Sequence, residues 1–142
     1  AAPRNASEAG FDSQKGLKEI KISCLPERLL FNKDRFRVKA GQPVKLLFSN
    51  PDVTQHNIVF VEPGAEEEIG MAGNDMAKDP EAAKKGFIPK SSKILHHSRL
   101  LSQGEVEALR FNAPEKPGNY PYLCTFPGHW VVMTGVMVVV AK

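Results

Sequence analysis

Apolar and polar residues alternate along several short segments of the chain, and this period of two is typical of half-buried β-strands. In "RFRVKA" (35–40), Phe36, Val38 and Ala40 occupy one side and basic residues occupy the other. Gly41 and the pair Asn50-Pro51 punctuate these segments, as expected for turns. The same pattern predicts further strands in "LKEIKIS" (17–23), "QPVKLLFSN" (42–50), "SRLLSQ" (98–103), "EVEALRFNAP" (105–114), "GNYPYLC" (118–124) and "GVMVVVAK" (135–142).

The middle of the chain, residues 66–93, is polar and alanine-rich and interrupts the strand pattern. Within it, "DPEAAKKG" (79–86) carries helix signals: Asp79 suits the N-cap, Pro80 the first helical position and Gly86 the C-terminal end. The three glutamates 66–68 are interpreted as a solvated surface. We therefore predict an all-β fold, a Greek-key β-sandwich or barrel with antiparallel sheets and one short helical insertion.

Length and composition indicate a single domain. A chain of 142 residues is long enough for one sizeable core and too short for two. Residues 1–16 lack periodicity and predict a flexible N-terminal tail, which leaves 17–142 as the domain. The net charge of +3, with basic residues scattered among acids, argues against nucleic-acid binding. No run approaches the ~18 apolar residues of a transmembrane segment.

Three potential metal donors are crowded into "CTFPGHWVVM": the thiol of Cys124, the imidazole of His129 and the thioether of Met133. Another imidazole lies far upstream at His56, in the strand-like segment "TQHNIVF". Thiolate and thioether are soft donors, and two histidines, one thiolate and a long axial methionine define a blue-copper site. Each residue alone is more often a packing residue, so the hypothesis of a metal site depends on their spacing within one loop.

The two cysteines, Cys24 and Cys124, leave two interpretations open. Either they form one disulfide, or Cys124 is a metal ligand and Cys24 is a small buried hydrophobic residue. His96 and His97 do not predict a second metal site, because adjacent residues of a strand point to opposite faces of the sheet.

The segments "CTFPGHWVVM" and "TQHNIVF" resemble the ligand loops of azurin and auracyanin, the small blue copper proteins of the cupredoxin family. "VKAGQPVKLLFSNPD" resembles the strand before their first histidine ligand, and "GFIPKSSKILHHSRLLSQGE" resembles azurin's central segment. The resemblance covers all but the first sixteen or so residues. It implies a cupredoxin-like fold with one copper ion per chain, His56, Cys124 and His129 as equatorial ligands, and Met133 as the weak axial ligand.

The resemblance also implies residues that support the ligands. A backbone carbonyl just before the first histidine faces the metal in azurin, where the residue is glycine; here it is Gln55, as in auracyanin. Asn57 is expected to hydrogen-bond to the backbone around Cys124 and Thr125. The backbone N–H of Phe126 is expected to point at the thiolate sulfur. Such hydrogen bonds orient ligands and tune the redox potential.

The function that this resemblance implies is one-electron transfer, with copper cycling between Cu(I) and Cu(II). The alternative is a copper storage or delivery protein of the cell envelope, and a minor alternative is zinc in the same pocket. The sequence argues against an enzyme. Multicopper oxidases and copper nitrite reductases need further histidine-rich sites, whereas this chain has four histidines in all.

The resemblance further implies a redox partner, such as a cytochrome, oxidase or dehydrogenase, which docks transiently at an apolar surface around His129. Trp130, where azurin has a small polar residue, either enlarges this surface or packs against a neighbouring loop. A bacterial periplasmic or other extracytoplasmic location is expected, with no transmembrane segment and no nucleic-acid partner. The expected docking surface comprises Pro51, Phe126, Pro127, Gly128 and Val131.

Overall fold

The structure is a computed structural model that describes residues 2–142, and two β-sheets form its framework. In chain order the elements are α1 (Ala6–Asp12), β1 (Lys18–Ser23), β2 (Arg35–Lys39), β3 (Pro43–Asn50), β4 (Val59–Val61), α2 (Glu66–Asp75), β5 (Ile94–His97), β6 (Glu105–Asn112), β7 (Gly118–Leu123) and β8 (Thr134–Val140). One sheet has the strand order β1-β3-β6 and the other β2-β8-β7-β4-β5. The predicted two-sheet β-sandwich is confirmed.

Strand directions are mixed, so the prediction of antiparallel sheets is wrong for two of the strand pairs. β1 pairs with β3 in parallel, and β2 pairs with β8 in parallel. The other pairs are antiparallel. β1 and β2 follow each other in sequence but lie in different sheets. Each therefore pairs with a strand to which no hairpin joins it, so no tight turn forces the pair to be antiparallel.

The alternating residues of the strands form the core between the sheets. Phe36, Val38 and Ala40 are buried as their spacing predicts. Rings of Phe60 and Tyr122, one from each of two neighbouring strands, lie with centroids 5.3 Å apart. A smaller apolar cluster lies beside this core, where α2 covers part of the five-stranded sheet. Its members are Val59, Val61, Ala65, Ile69 and Leu123, with Ile88, Ile94 and Trp130 packed against them.

A helical insertion between strands is confirmed, but its predicted position at 79–86 is wrong. Residues 80–86 form consecutive turns, in which Asp79 Oδ1 accepts a hydrogen bond from the Glu81 N–H (2.8 Å). The turns continue to Phe87, and Gly86 and Phe87 have φ values of +66° and +54°. The helix is α2, whose first turn carries the three glutamates 66–68 that were interpreted as plain surface. Acidic residues at this end are favoured by the helix dipole.

Two glycines inside α2 explain why the sequence did not predict this helix. Glycine costs about 1 kcal/mol relative to alanine within a helix. A Cβ on Gly70 would lie 2.2 Å from Trp130 Cδ2, and a Cβ on Gly73 would lie 2.6 Å from the Thr125 carbonyl oxygen. Both glycines are therefore required by close packing of α2 on the segment that follows β7, and this tertiary demand overrides helix propensity.

The predicted strand at 98–103 is also displaced. The strand in this region is β5, which pairs with β4. Within 98–103 the structure has one isolated bridge, in which the backbone groups of Leu101 and His56 exchange hydrogen bonds of 2.8 and 3.1 Å. This bridge fixes the backbone of His56 at the end of the sandwich.

The N-terminal region assigned to a flexible tail instead contains α1. Asn5 caps this helix by accepting a hydrogen bond from the Glu8 N–H (2.9 Å). Asp12 accepts hydrogen bonds from Lys45 Nζ (2.9 Å) and Arg110 Nε (2.8 Å), which belong to β3 and β6. α1 is therefore anchored to the three-stranded sheet by ion pairs. No helix within residues 2–142 is long and apolar enough to cross a bilayer.

We predict that Asp12→Ala lowers the free energy of unfolding at neutral pH. Hydrogen bonds from Arg110 and then Lys45 hold the pKa of Asp12 well below its usual range. A depressed carboxyl pKa stabilises the fold above the ordinary value of about 4, and this stabilisation is lost as the pH falls through and below it. The difference between variant and wild type in urea unfolding should therefore shrink from about pH 5 towards pH 2.

The control for this prediction is Glu115→Ala, which removes an exposed ion pair with Lys142 (3.3 Å). Exposed pairs contribute little to stability. Equal losses in the two variants would show that α1 is not held to the sheet by Asp12.

Candidate metal centre

The segment between β7 and β8, here called the donor loop (residues 124–133), folds back on itself. The Cys124 N–H donates to the Met133 carbonyl (3.1 Å), and the Met133 N–H donates to the His129 carbonyl (2.9 Å). The His129 N–H in turn donates to the Phe126 carbonyl (3.0 Å). These backbone bonds hold the three candidate donors of the loop next to one another, as their spacing in the sequence predicts.

His56 meets the donor loop inside the protein. Its Nδ1 lies 3.8 Å from Cys124 Sγ, and the Nδ1 of His129 lies 3.5 Å from the same sulfur. The donor atoms of these three buried residues all lie within 4.8 Å of one another. Met133, the fourth expected donor, is fully buried and bonded through its backbone to Cys124 and His129. His56, which is distant in sequence, and the donors of the loop therefore lie close together in the folded protein.

Burial controls the charge of these donors. Desolvation raises the pKa of the Cys124 thiol to about 11, and the backbone N–H groups of Asn57 and then Phe126 oppose this rise. Burial, followed by repulsion from His56, lowers the pKa of His129 to about 4. At neutral pH the ring of His129 is therefore uncharged and has a free nitrogen lone pair. A thiol so buried loses its proton when a metal cation binds, because the cation replaces the proton on sulfur.

The donor set fits copper. One thiolate, two imidazoles and a thioether form the combination found in blue-copper sites, and Cu(II) binds a given site of this kind more tightly than zinc. Cys24 is a free, buried cysteine, and so is Cys124. The alternative of a disulfide between them is therefore wrong, and the thiol of Cys124 is available as a donor.

Asn57 joins the His56 segment to the donor loop. Its Oδ1 accepts from the Thr125 N–H (2.8 Å), and its Nδ2 donates to Thr125 Oγ1 (2.9 Å). The same Nδ2 donates to the Gly86 carbonyl (2.9 Å), and Thr125 Oγ1 donates to the Phe87 carbonyl (2.7 Å). The two donor-bearing segments and the turns after α2 are thus tied by one buried amide.

Gln55 and Phe126 occupy different environments. The side chain of Gln55 lies at the surface, where its Nε2 donates to Ser102 Oγ (3.1 Å). Any contact of Gln55 with a metal therefore involves its backbone rather than its side chain. The ring of Phe126 stacks on that of His129, with centroids 4.5 Å apart and an interplanar angle of 27°. This stacking fixes the orientation of the imidazole.

α2 supports the donor loop from outside, which sequence reasoning missed. Asn74 Oδ1 accepts from the Gly128 N–H (2.8 Å), and the indole of Trp130 lies over Gly70. Trp130 is half-buried against the small apolar cluster. Of the two interpretations left open for Trp130, the structure shows packing against a neighbouring element. The pair of glycines in an otherwise helical segment was the signal for such a close approach.

Asp52 is a second residue that sequence reasoning missed. Its Oδ2 lies 2.8 Å from the Nε2 of His56, and both side chains are buried. The hydrogen bond with His56 is the largest of the influences that lower the pKa of Asp52. The only sequence signal was an acidic residue four positions before a histidine, in a turn-like "NPD" segment.

The surface next to His129 is apolar. His129 itself is 7% exposed, while Val131 and Val132 are 66% and 51% exposed. The expected docking residues Pro51 and Gly128 are also exposed. A slightly exposed candidate donor thus has exposed apolar residues within three positions of it in the sequence.

Comparison with known proteins agrees with this geometry. Residues 18–140 match the family described as "Copper binding proteins, plastocyanin/azurin family". Auracyanin-A of Chloroflexus aurantiacus is 36% identical over 129 residues, which cover 89% of this chain and 77% of the relative. Auracyanin-B of the same organism is 31% identical over 123 residues, and the match covers 84% of this chain and 51% of that protein. The solved structure of auracyanin A, described as a "blue" copper protein, aligns with a TM-score of 0.76 at 36% identity over 87% of this chain and 99% of that one.

Proposed function

This chain belongs to the plastocyanin/azurin family of copper-binding proteins, and we propose that it carries single electrons on one copper ion held by His56, Cys124, His129 and Met133. The observation that supports this assignment most strongly is the convergence of three donor atoms within 4.8 Å in a buried site. The two imidazoles and the thiolate of Cys124 would be the strong ligands of the ion, and the thioether of Met133 would hold it more weakly.

The protein residues supply a rigid, dry site. When bound, copper supplies a centre that alternates between Cu(II) and Cu(I). The donors are fixed by buried backbone hydrogen bonds, and the amide of Asn57 fixes the two segments that bear them. Because a fixed donor set rearranges little when the charge changes, the barrier to electron transfer is low. The backbone N–H of Phe126 is proposed to donate a hydrogen bond to the sulfur of Cys124. The backbone of Gln55 is proposed to lie next to the ion.

The proposed route for the electron passes through the surface next to His129. A redox protein such as a cytochrome, oxidase or dehydrogenase would dock there through a small, transient interface. Exposed Val131 would supply apolar area for that contact, and His129, two residues earlier, is itself slightly exposed. We further propose a periplasmic or other extracytoplasmic location, and the role of a carrier rather than an enzyme.

The test is reconstitution with Cu(II), followed by a visible spectrum, metal analysis and a redox titration. The expected result is an intensely blue protein with one copper per chain that is reduced and reoxidised reversibly by one electron. A colourless copper protein would contradict the proposal. A protein that releases its copper to a competing chelator on reduction would indicate storage or delivery instead.

A further inference from the structure

The imidazole of His56 has a defined neighbour at each nitrogen. Nδ1 faces Cys124 Sγ at 3.8 Å, and Nε2 lies 2.8 Å from Asp52 Oδ2. The ring is fully buried, so these neighbours decide which nitrogen carries the proton. An ionised carboxylate accepts hydrogen bonds and cannot donate them. The hydrogen bond to Asp52 therefore places the proton on Nε2 and leaves the lone pair on Nδ1, on the side of Cys124.

Asp52 is also held in place by contacts that do not involve His56. Its backbone N–H donates to Asn50 Oδ1 (2.9 Å), and its Oδ1 accepts from the Glu27 N–H (3.1 Å). Glu27 has a φ of +61°, a left-handed conformation that is uncommon for a residue with a side chain. The amide of Asn50 is anchored by donating to the backbone carbonyls of Thr54 and Leu101 (both 2.9 Å).

These contacts show that the orientation of the carboxylate does not depend on His56 alone. Leu101 also forms the backbone bridge with His56. The same short network thus fixes the histidine backbone and the group that its ring contacts. Such a buried, preset acceptor is what a ligand-orienting residue requires.

We propose that Asp52 is a positioning residue for the copper site: it holds His56 in the tautomer that presents Nδ1 to the metal, and its negative charge favours Cu(II) over Cu(I). The inference rests on the proposed function and deepens it. It states that Asp52 affects the equilibrium between Cu(II) and Cu(I).

The direction of the charge effect follows from simple electrostatics. With the Cys124 thiolate, Cu(II) leaves one net positive charge on the site and Cu(I) leaves none. A nearby buried carboxylate stabilises the more positive state, and the low dielectric of the interior strengthens this preference. Hydrogen bonding from Nε2 to the carboxylate also makes the ring a stronger donor. Both effects lower the reduction potential.

The test is Asp52→Asn, which removes the charge with little change in shape. Loss of a group that orients a ligand typically costs about 10–100-fold in metal affinity. We expect Cu(II) affinity to fall by about that factor and Cu(I) affinity to change less. A tenfold loss confined to Cu(II) corresponds to a rise of about 59 mV in the potential of a one-electron couple.

The matched control is Asp34→Asn, which removes the same charge from an exposed position. Its potential and affinities should remain those of the wild type. If Asp52→Asn and Asp34→Asn give the same potential while the wild type is blue, the inference is overturned and the proposed function stands. A colourless wild type would remove the proposed function itself, before any variant is compared.

A second measurement needs only the copper-free wild type. Nuclear magnetic resonance of ¹⁵N-labelled protein should show His56 protonated at Nε2, with a proton that exchanges slowly because the ring is buried. Protonation at Nδ1 would overturn the inference. This readout remains available if Asp52→Asn does not fold, and a purely structural role for Asp52 in the turn would not fix the tautomer.

Discussion

Cys124→Ser should abolish the blue colour of the copper-loaded protein and leave the β-sandwich folded. The colour depends on charge transfer from a thiolate sulfur to Cu(II), and a serine hydroxyl supplies neither the sulfur nor a comparably soft donor. The visible spectrum after copper addition measures this change, and far-ultraviolet circular dichroism checks the fold. We expect the absorption to be lost essentially completely.

Cys24→Ser is the matched control, because Cys24 is the chain's other buried, free cysteine. Its backbone forms an isolated bridge with Phe31, and it is absent from the group of converging donors. The variant should keep the colour and lose some stability, since a hydroxyl is buried in place of a thiol. Persistent colour in Cys124→Ser, or lost colour in Cys24→Ser, would show that Cys124 is not the sulfur ligand.

Gly73→Ala should destabilise the protein and disturb the donor loop. The new Cβ would lie 2.6 Å from the carbonyl oxygen of Thr125, which is backbone next to Cys124 and cannot rotate away. α2 must therefore shift off the loop. Overpacking of this kind costs about 1–3 kcal/mol in the free energy of unfolding. Urea unfolding measures that loss, and the rate of copper transfer to a chelator measures the loosening of the loop.

The control for this change is Gly10→Ala, a glycine within α1 whose Cβ would meet nothing within 4 Å. There the substitution should be neutral or stabilise the protein by up to about 1 kcal/mol, because alanine is the better helix former. Equal effects at the two glycines would show that α2 does not press on the donor loop.

What could be predicted from the sequence depended on whether the signal was local. The strand at Arg35–Lys39 is evident because its alternating residues face either the core or solvent. Cys124, His129 and Met133 are recognisable together because one loop carries them at a fixed spacing. His56 was included through the residues around it, which resemble the corresponding segment of known copper proteins.

What could not be predicted depends on contacts between distant segments. The helix at Glu66–Asp75 was missed because Gly70 and Gly73 weaken its propensity, and the reason for those glycines lies in the donor loop. Asp79 and Gly86 carry convincing helix signals, yet their segment forms turns that pack against Asn57 and Thr125. Asp52 lies in no sequence pattern that marks it as functional, because its role depends on its contact with the ring of His56 in the folded protein.

The parallel pairing of β2 with β8 has a consequence for the order of events during folding. Arg35 aligns with Val136, so this pairing joins an early strand of the chain to the strand that follows the donor loop. Contacts between such distant residues form late, since a long intervening chain must first be ordered. The donor loop leads directly into β8, so we expect its geometry to become fixed late in folding, when β2 and β8 pair.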